Sequence, residues 1–194
     1  MKVKLTKKFF NRPTVAVAKD LLGKFLVRRC SGKEFAYMIT EVEAYDGFSD
    51  KGSHAHRGET ERNKPMFAEA GRWYVYLTYG MHWMLNIVCG KKGYPAAVLI
   101  RGVQGISGPA RITKKLRINR QFNNMFADKK TGLWLEDRGY RMRNGWIYPP
   151  SSRKAGLRKD YSSRFRRWRI KKGPRIGIDY AGRYWARKPW RFRI

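Results

Sequence analysis

The run RWYVYLTYGMHWMLNIV, residues 72–88, tolerates one regular backbone. β-Branched and aromatic side chains crowd both halves and Tyr79–Gly80 divides them, which specifies two strands folded back on each other with a tyrosine near the tip. Alternate residues of a strand share a face, so Tyr74, Tyr76 and Thr78 point one way and Asn86 projects from the returning strand. An amide buried in an apolar strand finds partners or costs about 1–3 kcal/mol.

The same signals recur along the chain. Lys24 to Cys30 and Glu34 to Tyr45 read as a second hairpin around the turn Ser31 to Lys33, and AAVLIRG supplies a further strand. NRPTVAVAKDLLGK carries Asn11 and Pro13 at the start of a short helix and Gly23 at its end, with Val17, Leu21 and Leu22 toward the core. SGPARITKKLRI starts a second helix at Ser107 and Pro109, with Ile112 and Leu116 on one face. GPRIGIDYAGRYWARKPWRFRI alternates again and is expected to dock as a final strand or turn pair. The fold class that follows is α+β. Residues 1–194 form a single mixed domain with a largely antiparallel, curved β-sheet core flanked by helices, its Tyr79 hairpin protruding.

Charge then narrows the partner. Lys and Arg number 44 against 14 acids, a formal net charge of +30, and the natural partner of such a field is a polyanion or an anionic membrane surface. Apolar runs such as WMLNIVCG fall far short of the roughly 20 residues that span a bilayer, and MKVKLTKKFF lacks the apolar stretch of a secretory signal. The expectation is an intracellular protein, cytoplasmic or nucleoid-associated (nuclear in a eukaryote), acting on nucleic acid rather than membrane. Cys30 and Cys89 make no CxxC, so they read as two buried thiols in a reducing compartment, without a zinc or iron–sulfur framework. Between Tyr140 and Lys172, twelve Lys or Arg face the single acid Asp160, so this stretch reads as a mobile arm or an extended DNA-facing loop.

Against that background EVEAYDG, residues 41–47, stands out. Strand alternation points Glu41, Glu43 and Tyr45 one way and Val42 and Ala44 the other, so a carboxylate and a phenol open into one cavity. With Tyr74, Tyr76 and Asn86, the residues supply two aromatic walls and an amide. That set suits a flat heterocycle, since bases stack on aromatic faces for about 1–3 kcal/mol each. Each residue also has a plainer reading. Glu43 alone is an ion-pair partner for one of many arginines, Trp73 and Tyr76 are sheet packing, His54 is a loop histidine, and Arg101 is a phosphate contact. A non-catalytic nucleic-acid-binding protein would need only the charge and the aromatic strands. A zinc deaminase would need HxE and PCxxC ligands, which are absent, and His54, His56 and His82 have no metal spacing.

EAYDG, SHAHRGETERNKPMF, WYVYLTYGMHWMLN, LIRG, SGPARI and WARKPWRF, in this order, resemble the alkyladenine (3-methyladenine, N-methylpurine) DNA glycosylases, over residues 5–139 and 173–194. The resemblance implies a monomeric, monofunctional glycosylase that extrudes a damaged purine from double-stranded DNA and hydrolyses its N-glycosidic bond without metal or cofactor. It makes Glu43 the general base and Arg101 the residue that helps hold the water, with the Leu133 carbonyl assisting. It makes Tyr45 and Tyr76 the rings that sandwich the base, and His54 the third side of the pocket. Asn86 opposes the exocyclic amine of guanine, and Tyr79, with Met81 beside it, is the wedge that fills the gap in the duplex. A bifunctional lyase would want a buried lysine amine, and none falls within these motifs. The loop between His54 and Asn63 is shorter than in the human relative, and the basic stretch has no counterpart.

Overall fold

The computed structural model describes residues 2–150 and 167–194. In chain order come β1 (Val3–Lys4), α1 (Lys7–Phe10), α2 (Thr14–Leu21), β2 (Phe25–Cys30), β3 (Lys33–Asp46), β4 (Trp73–Thr78), β5 (His82–Val88), β6 (Ala96–Val103), β7 (Ile106–Ser107), α3 (Pro109–Lys115), β8 (Leu133–Asp137), β9 (Arg141–Arg143), β10 (Trp146–Tyr148), β11 (Trp168–Arg169), β12 (Lys171–Gly173), α4 (Arg183–Arg187) and β13 (Arg191–Arg193). The main sheet runs β1-β8-β2-β3-β6-β5-β4 with antiparallel neighbours throughout and does not close, which is the α+β architecture expected.

Alternation sorts the two faces of this sheet. Val42 and Ala44 of β3, Val98 and Ile100 of β6, Leu85 and Ile87 of β5 and Trp73 and Val75 of β4 are buried in one cluster with Val17, Ala18 and Leu21 of α2 and Ile112 of α3. Their sequence neighbours Tyr45, Ala97, Leu99, Asn86, Tyr74 and Tyr76 face the other way and line a cleft. The main core thus lies on one face; on the other, Tyr74, Val88 and Ala97 make a smaller buried cluster with Ala55 and Met66, and the cleft opens beside it.

Two hairpins end in left-handed turns. Ser31 (φ 50°) and Gly32 (φ 73°) link β2 to β3, whose register pairs Cys30 with Lys33. Tyr79 (φ 50°) and Gly80 (φ 68°) do the same between β4 and β5. Positive φ at a tyrosine is strained, whereas at glycine it is free.

β3 is long enough to serve several partners. Residues 33–38 pair with β2, and Ile39 to Asp46 pair with β6 along the opposite edge. Where β2 has ended, β13 takes over its edge, setting Arg191 opposite Glu43, Phe192 opposite Val42 and Arg193 opposite Glu41. Of the C-terminal run, expected as a final strand or turn pair, Arg191–Arg193 form that strand, while Arg183–Arg187 form the helix α4. A turn at Asp179–Ala181 precedes α4, and its Tyr180 lines the cleft.

Some local expectations are corrected. Asn11 does not cap α2: Pro13 occupies that position, and Asn11 instead ends the one-turn helix α1. Val17, Leu21 and Leu22 are buried as expected. Only Cys89 is a fully buried thiol, Cys30 being half-buried at the β2 end. The basic stretch is structured at both described flanks: β9, β10 and β11 form a small antiparallel sheet, Ile147 is buried, and Trp168 packs on Tyr140. Apolar Ile147 and Trp168 hold these flanks to the body, which charge counting alone does not reveal. Residues 151–166 of that stretch lie outside the described residues. Among the described residues no helix is long and apolar enough to cross a membrane.

Candidate active site

The registers of β3, β6, β5 and β4 place Glu43 opposite Leu99, Leu99 opposite Asn86, and Asn86 opposite Tyr74. One rung across four strands therefore carries an acid at one end and an amide two strands away. At the usual strand spacing the two are about 9–10 Å apart, room for a flat bicyclic ring between them. Above this rung opens a cleft of about 380 Å³, lined among others by Tyr45, His54, Tyr76, Asn86, Arg101 and Tyr180.

Glu43 is fully buried beneath the cleft wall. Its Oε2 accepts the Tyr45 hydroxyl at 2.9 Å and its Oε1 accepts the Ile176 backbone N–H at 2.9 Å. Arg101 Nε stands 3.4 Å from Glu43 and 3.6 Å from Glu41, and makes no hydrogen bond of its own among the described residues. A register break between β3 and β6 at Glu41/Val42 leaves Arg101 outside the paired residues, which swings its side chain over both acids. Burial raises the Glu43 pKa above the ordinary 4.5, outweighing the downward pull of Arg101, of the Ile176 and Tyr45 hydrogen bonds, and of Arg175.

The aromatic walls are kept neutral by burial. The Tyr45 phenol is pushed well up by burial and then by Glu43, and that of Tyr76 rises to about 12. A guanidinium attends each ring: Arg175 lies 4.8 Å from the Tyr45 centroid and Arg62 lies 5.3 Å from that of Tyr76. His54 packs edge-on to Tyr76 at 4.6 Å, and its Nδ1 lies 3.1 Å from the Tyr74 hydroxyl. One edge of the ring stays open, but burial of the remainder, with Arg62 nearby, brings its pKa down to about 4, so His54 is neutral at pH 7. Asn86 donates through Nδ2 to the carbonyl of Tyr74 at 3.0 Å. That bond fixes the amide plane and leaves Oδ1 as its free end.

Glu43, Tyr45, His54, Tyr76, Asn86 and Arg101 thus converge on one site. Tyr79, 84% exposed, and Met81, 69% exposed, stand at the hairpin tip on its rim. Leu133 does not join them. It is buried in the core, its carbonyl accepts the Trp73 indole N–H at 3.1 Å, and β8 lies on the far side of β2 from the cleft, so the expected water-holding carbonyl is corrected. Sequence reading also missed residues that build the site. Asn63, 1% exposed, donates to the carbonyls of His54 and Gly58 and pins the His54 loop. Asp50 and Arg175, both buried, and Ile176 complete the surroundings of Glu43. The available signal was a second acid, Asp50, shortly after EAYDG in a chain so poor in acids.

An open antiparallel sheet thus sets a buried carboxylate beneath a tyrosine-walled cleft in a chain of net charge +30. The sequence model of the Methylpurine-DNA glycosylase family matches residues 8–107. Over nearly the whole chain, three similar proteins each carry the name "Putative 3-methyladenine DNA glycosylase". That of Methanocella arvoryzae is 38% identical, covering 97% of this chain and 90% of its own. Those of Streptomyces avermitilis (36% identical, 98% and 87%) and an Anaeromyxobacter species (37%, 99% and 89%) are comparable. The chain belongs to the methylpurine-DNA glycosylase family.

Proposed function

We propose that this chain is a monomeric, monofunctional DNA glycosylase. It flips alkylated or deaminated purines, among them 3-methyladenine, 7-methylguanine and hypoxanthine, out of double-stranded DNA and hydrolyses their N-glycosidic bond, which opens base excision repair. The observation that carries this reading is the single rung holding Glu43 and Asn86 under the Tyr45–Tyr76 cleft. The damaged base lies between the two rings, its edge meets His54 and the Asn86 amide, and its sugar lies toward Glu43. Water then bonds through oxygen to the anomeric carbon as the carbon–nitrogen bond breaks and its electron pair leaves on the base. Glu43 takes the water proton and offsets the positive charge growing on the sugar, while Arg101 keeps the carboxylate ionised and helps hold the water. In the free protein Tyr45 and Ile176 cover Glu43, so water reaches it only once one of them yields. No metal or cofactor enters this scheme.

The test is an end-labelled duplex with one hypoxanthine or one alkylated adenine, incubated with the protein and then heated in alkali. Strand breaks at the lesion that need the alkali step are expected. Tight binding without such breaks would select the alternative, a non-catalytic nucleic-acid-binding protein.

The pH dependence follows from the site. Glu43 must be ionised, and its raised pKa places the acid limb of the rate profile above 4.5. His54, at about 4, titrates later on acidification. Replacing His54 with Gln is therefore expected to leave the acid limb where it is, and a limb that moves would assign it to the imidazole.

Tyr79 holds a left-handed φ at the hairpin tip, a conformation that costs an L-residue about 1–2 kcal/mol. Tyr79→Gly is expected to relieve that strain and raise the melting temperature. It should slow excision from duplex more than from single strands, because the wedge that fills the vacated stack is gone. Equal rates on both substrates in wild type and variant would remove Tyr79 from base extrusion.

A further inference from the structure

The proposed mechanism leaves one feature of the site unused: a buried ion pair beneath it. Arg175 and Asp50 side chains both have 0% exposure, and they meet through two parallel contacts, Nη1 to Oδ2 at 2.5 Å and Nη2 to Oδ1 at 2.7 Å. Arg175 Nη1 also donates to the Ala44 carbonyl at 3.0 Å, inside the strand that carries Glu43 and Tyr45. Its guanidinium lies 4.8 Å from the Tyr45 ring and 5.2 Å from that of Trp190. Asp50 in turn accepts the backbone N–H groups of Asp46 and Gly52, which shapes the loop leading to Ser53 and His54. The approach is so close that a Cβ on Gly52 would stand 2.9 Å from Arg175 Nη2.

A buried pair of this kind is a poor device for stability alone, since desolvating both charges offsets their attraction, and the Arg175 Nε is left without a partner among the described residues. What the pair does achieve is geometry. It ties three separate parts of the chain together: β3 behind Tyr45, the His54 loop, and the C-terminal strap Pro174–Ile178. The residue after Arg175 is Ile176, whose N–H sits on Glu43 Oε1 and whose neighbours Gly177 and Ile178 line the cleft.

We propose that Arg175 and Asp50 are positioning residues for the glycosylase reaction, locking the strap so that Ile176 orients the Glu43 carboxylate while the guanidinium braces the Tyr45 ring against the incoming base. The proposal rests on the reading of Glu43 as general base. Neither residue reaches substrate, and neither is exposed to meet a phosphate.

The groups facing Glu43 are Arg101 from β6, Tyr45 on its own strand, the Ile176 N–H, and Arg175 behind; Glu41 and Arg191 pair with each other nearby. Arg175 favours the ionised carboxylate. Losing its charge therefore moves the acid limb of the rate profile to higher pH.

The experiment measures single-turnover excision against pH, duplex affinity and melting temperature for wild type, Arg175→Gln, Arg175→Lys, Asp50→Asn and Glu43→Gln. A displaced reacting group costs up to about 100-fold in rate, so Arg175→Gln is expected to slow excision about 10- to 100-fold at unchanged duplex affinity, with its acid limb moved upward. Arg175→Lys keeps the charge without the fork: its limb should return to the wild-type pH while its rate stays low. Asp50→Asn should slow the reaction without raising the limb. The last two variants keep polar groups in place and carry the test should Arg175→Gln not fold. Folded Arg175 and Asp50 variants with wild-type rates and limbs would overturn the proposal while leaving Glu43 in its role. An active Glu43→Gln, or a wild type that excises nothing, would overturn the general-base reading and this proposal with it.

Discussion

Glu43→Gln is expected to bind a lesion-bearing duplex as the wild type does and to excise its base about 10²–10⁴-fold more slowly, the usual contribution of a positioned general base. The amide fills the same volume, its oxygen can accept from the Ile176 N–H and its Nε2 can donate to the Tyr45 hydroxyl, so the loss is chemical rather than structural. The same substitution should stabilise the protein at neutral pH. The folded-state pKa of Glu43 lies above its ordinary 4.5, because burial outweighs the combined pull of Arg101, Ile176, Tyr45 and Arg175. A group shifted in that direction contributes stability while protonated and loses the contribution as pH rises through its folded pKa. Gln never ionises, so its melting temperature should exceed that of the wild type at pH 7, and the gap should close as pH falls toward 4.5. A variant that melts lower at pH 7 would mean that the ion pairs with Arg101 and Arg175 hold the fold more strongly than burial strains it. Activity and stability are thus expected to pull apart at this position, as they do where an active site keeps a charge in a dry place.

Phe192→Ala is expected to cost about 3–5 kcal/mol, the range for removing a buried aromatic side chain. Phe192 is 1% exposed and stands opposite Val42 on the edge of β3. β13 covers that edge beside Glu41 and Glu43, and the tail leading into it carries the strap over the carboxylate. Excision should therefore fall further than the loss of folded protein explains, which comparison of active fraction with folded fraction by denaturant titration would measure. A rate per folded molecule equal to that of the wild type would separate the C-terminal strand from the chemistry.

Much of this site was legible before any fold was known. The face shared by Glu43 and Tyr45, and that shared by Tyr74 and Tyr76, follow from a two-residue period that the β3–β6 and β4–β5 registers obey around both groups. The Tyr79 tip was legible because Tyr-Gly between two β-prone runs has few other uses. Leu133 misled because resemblance alone supplied its role; its strand is buried in the core, and its carbonyl is already taken by Trp73. Asp50, Asn63 and Arg175 stayed hidden because their roles are contacts across the chain, and no periodicity links a loop acid to an arginine near the C-terminus.

The order of amino acids alone determined that this chain makes antiparallel hairpins, that a cationic surface surrounds a few acids, and that one of those acids shares a face with a phenol. Local sterics and charge count decide such things. Only the tertiary structure decided that Glu43 and Asn86 share a rung, that Arg101 bends over the acid at a register break, and that a C-terminal strap closes on it. Those are distances between residues far apart in the chain, set by strand register and by which elements share one core, and neither is written in any local stretch of sequence.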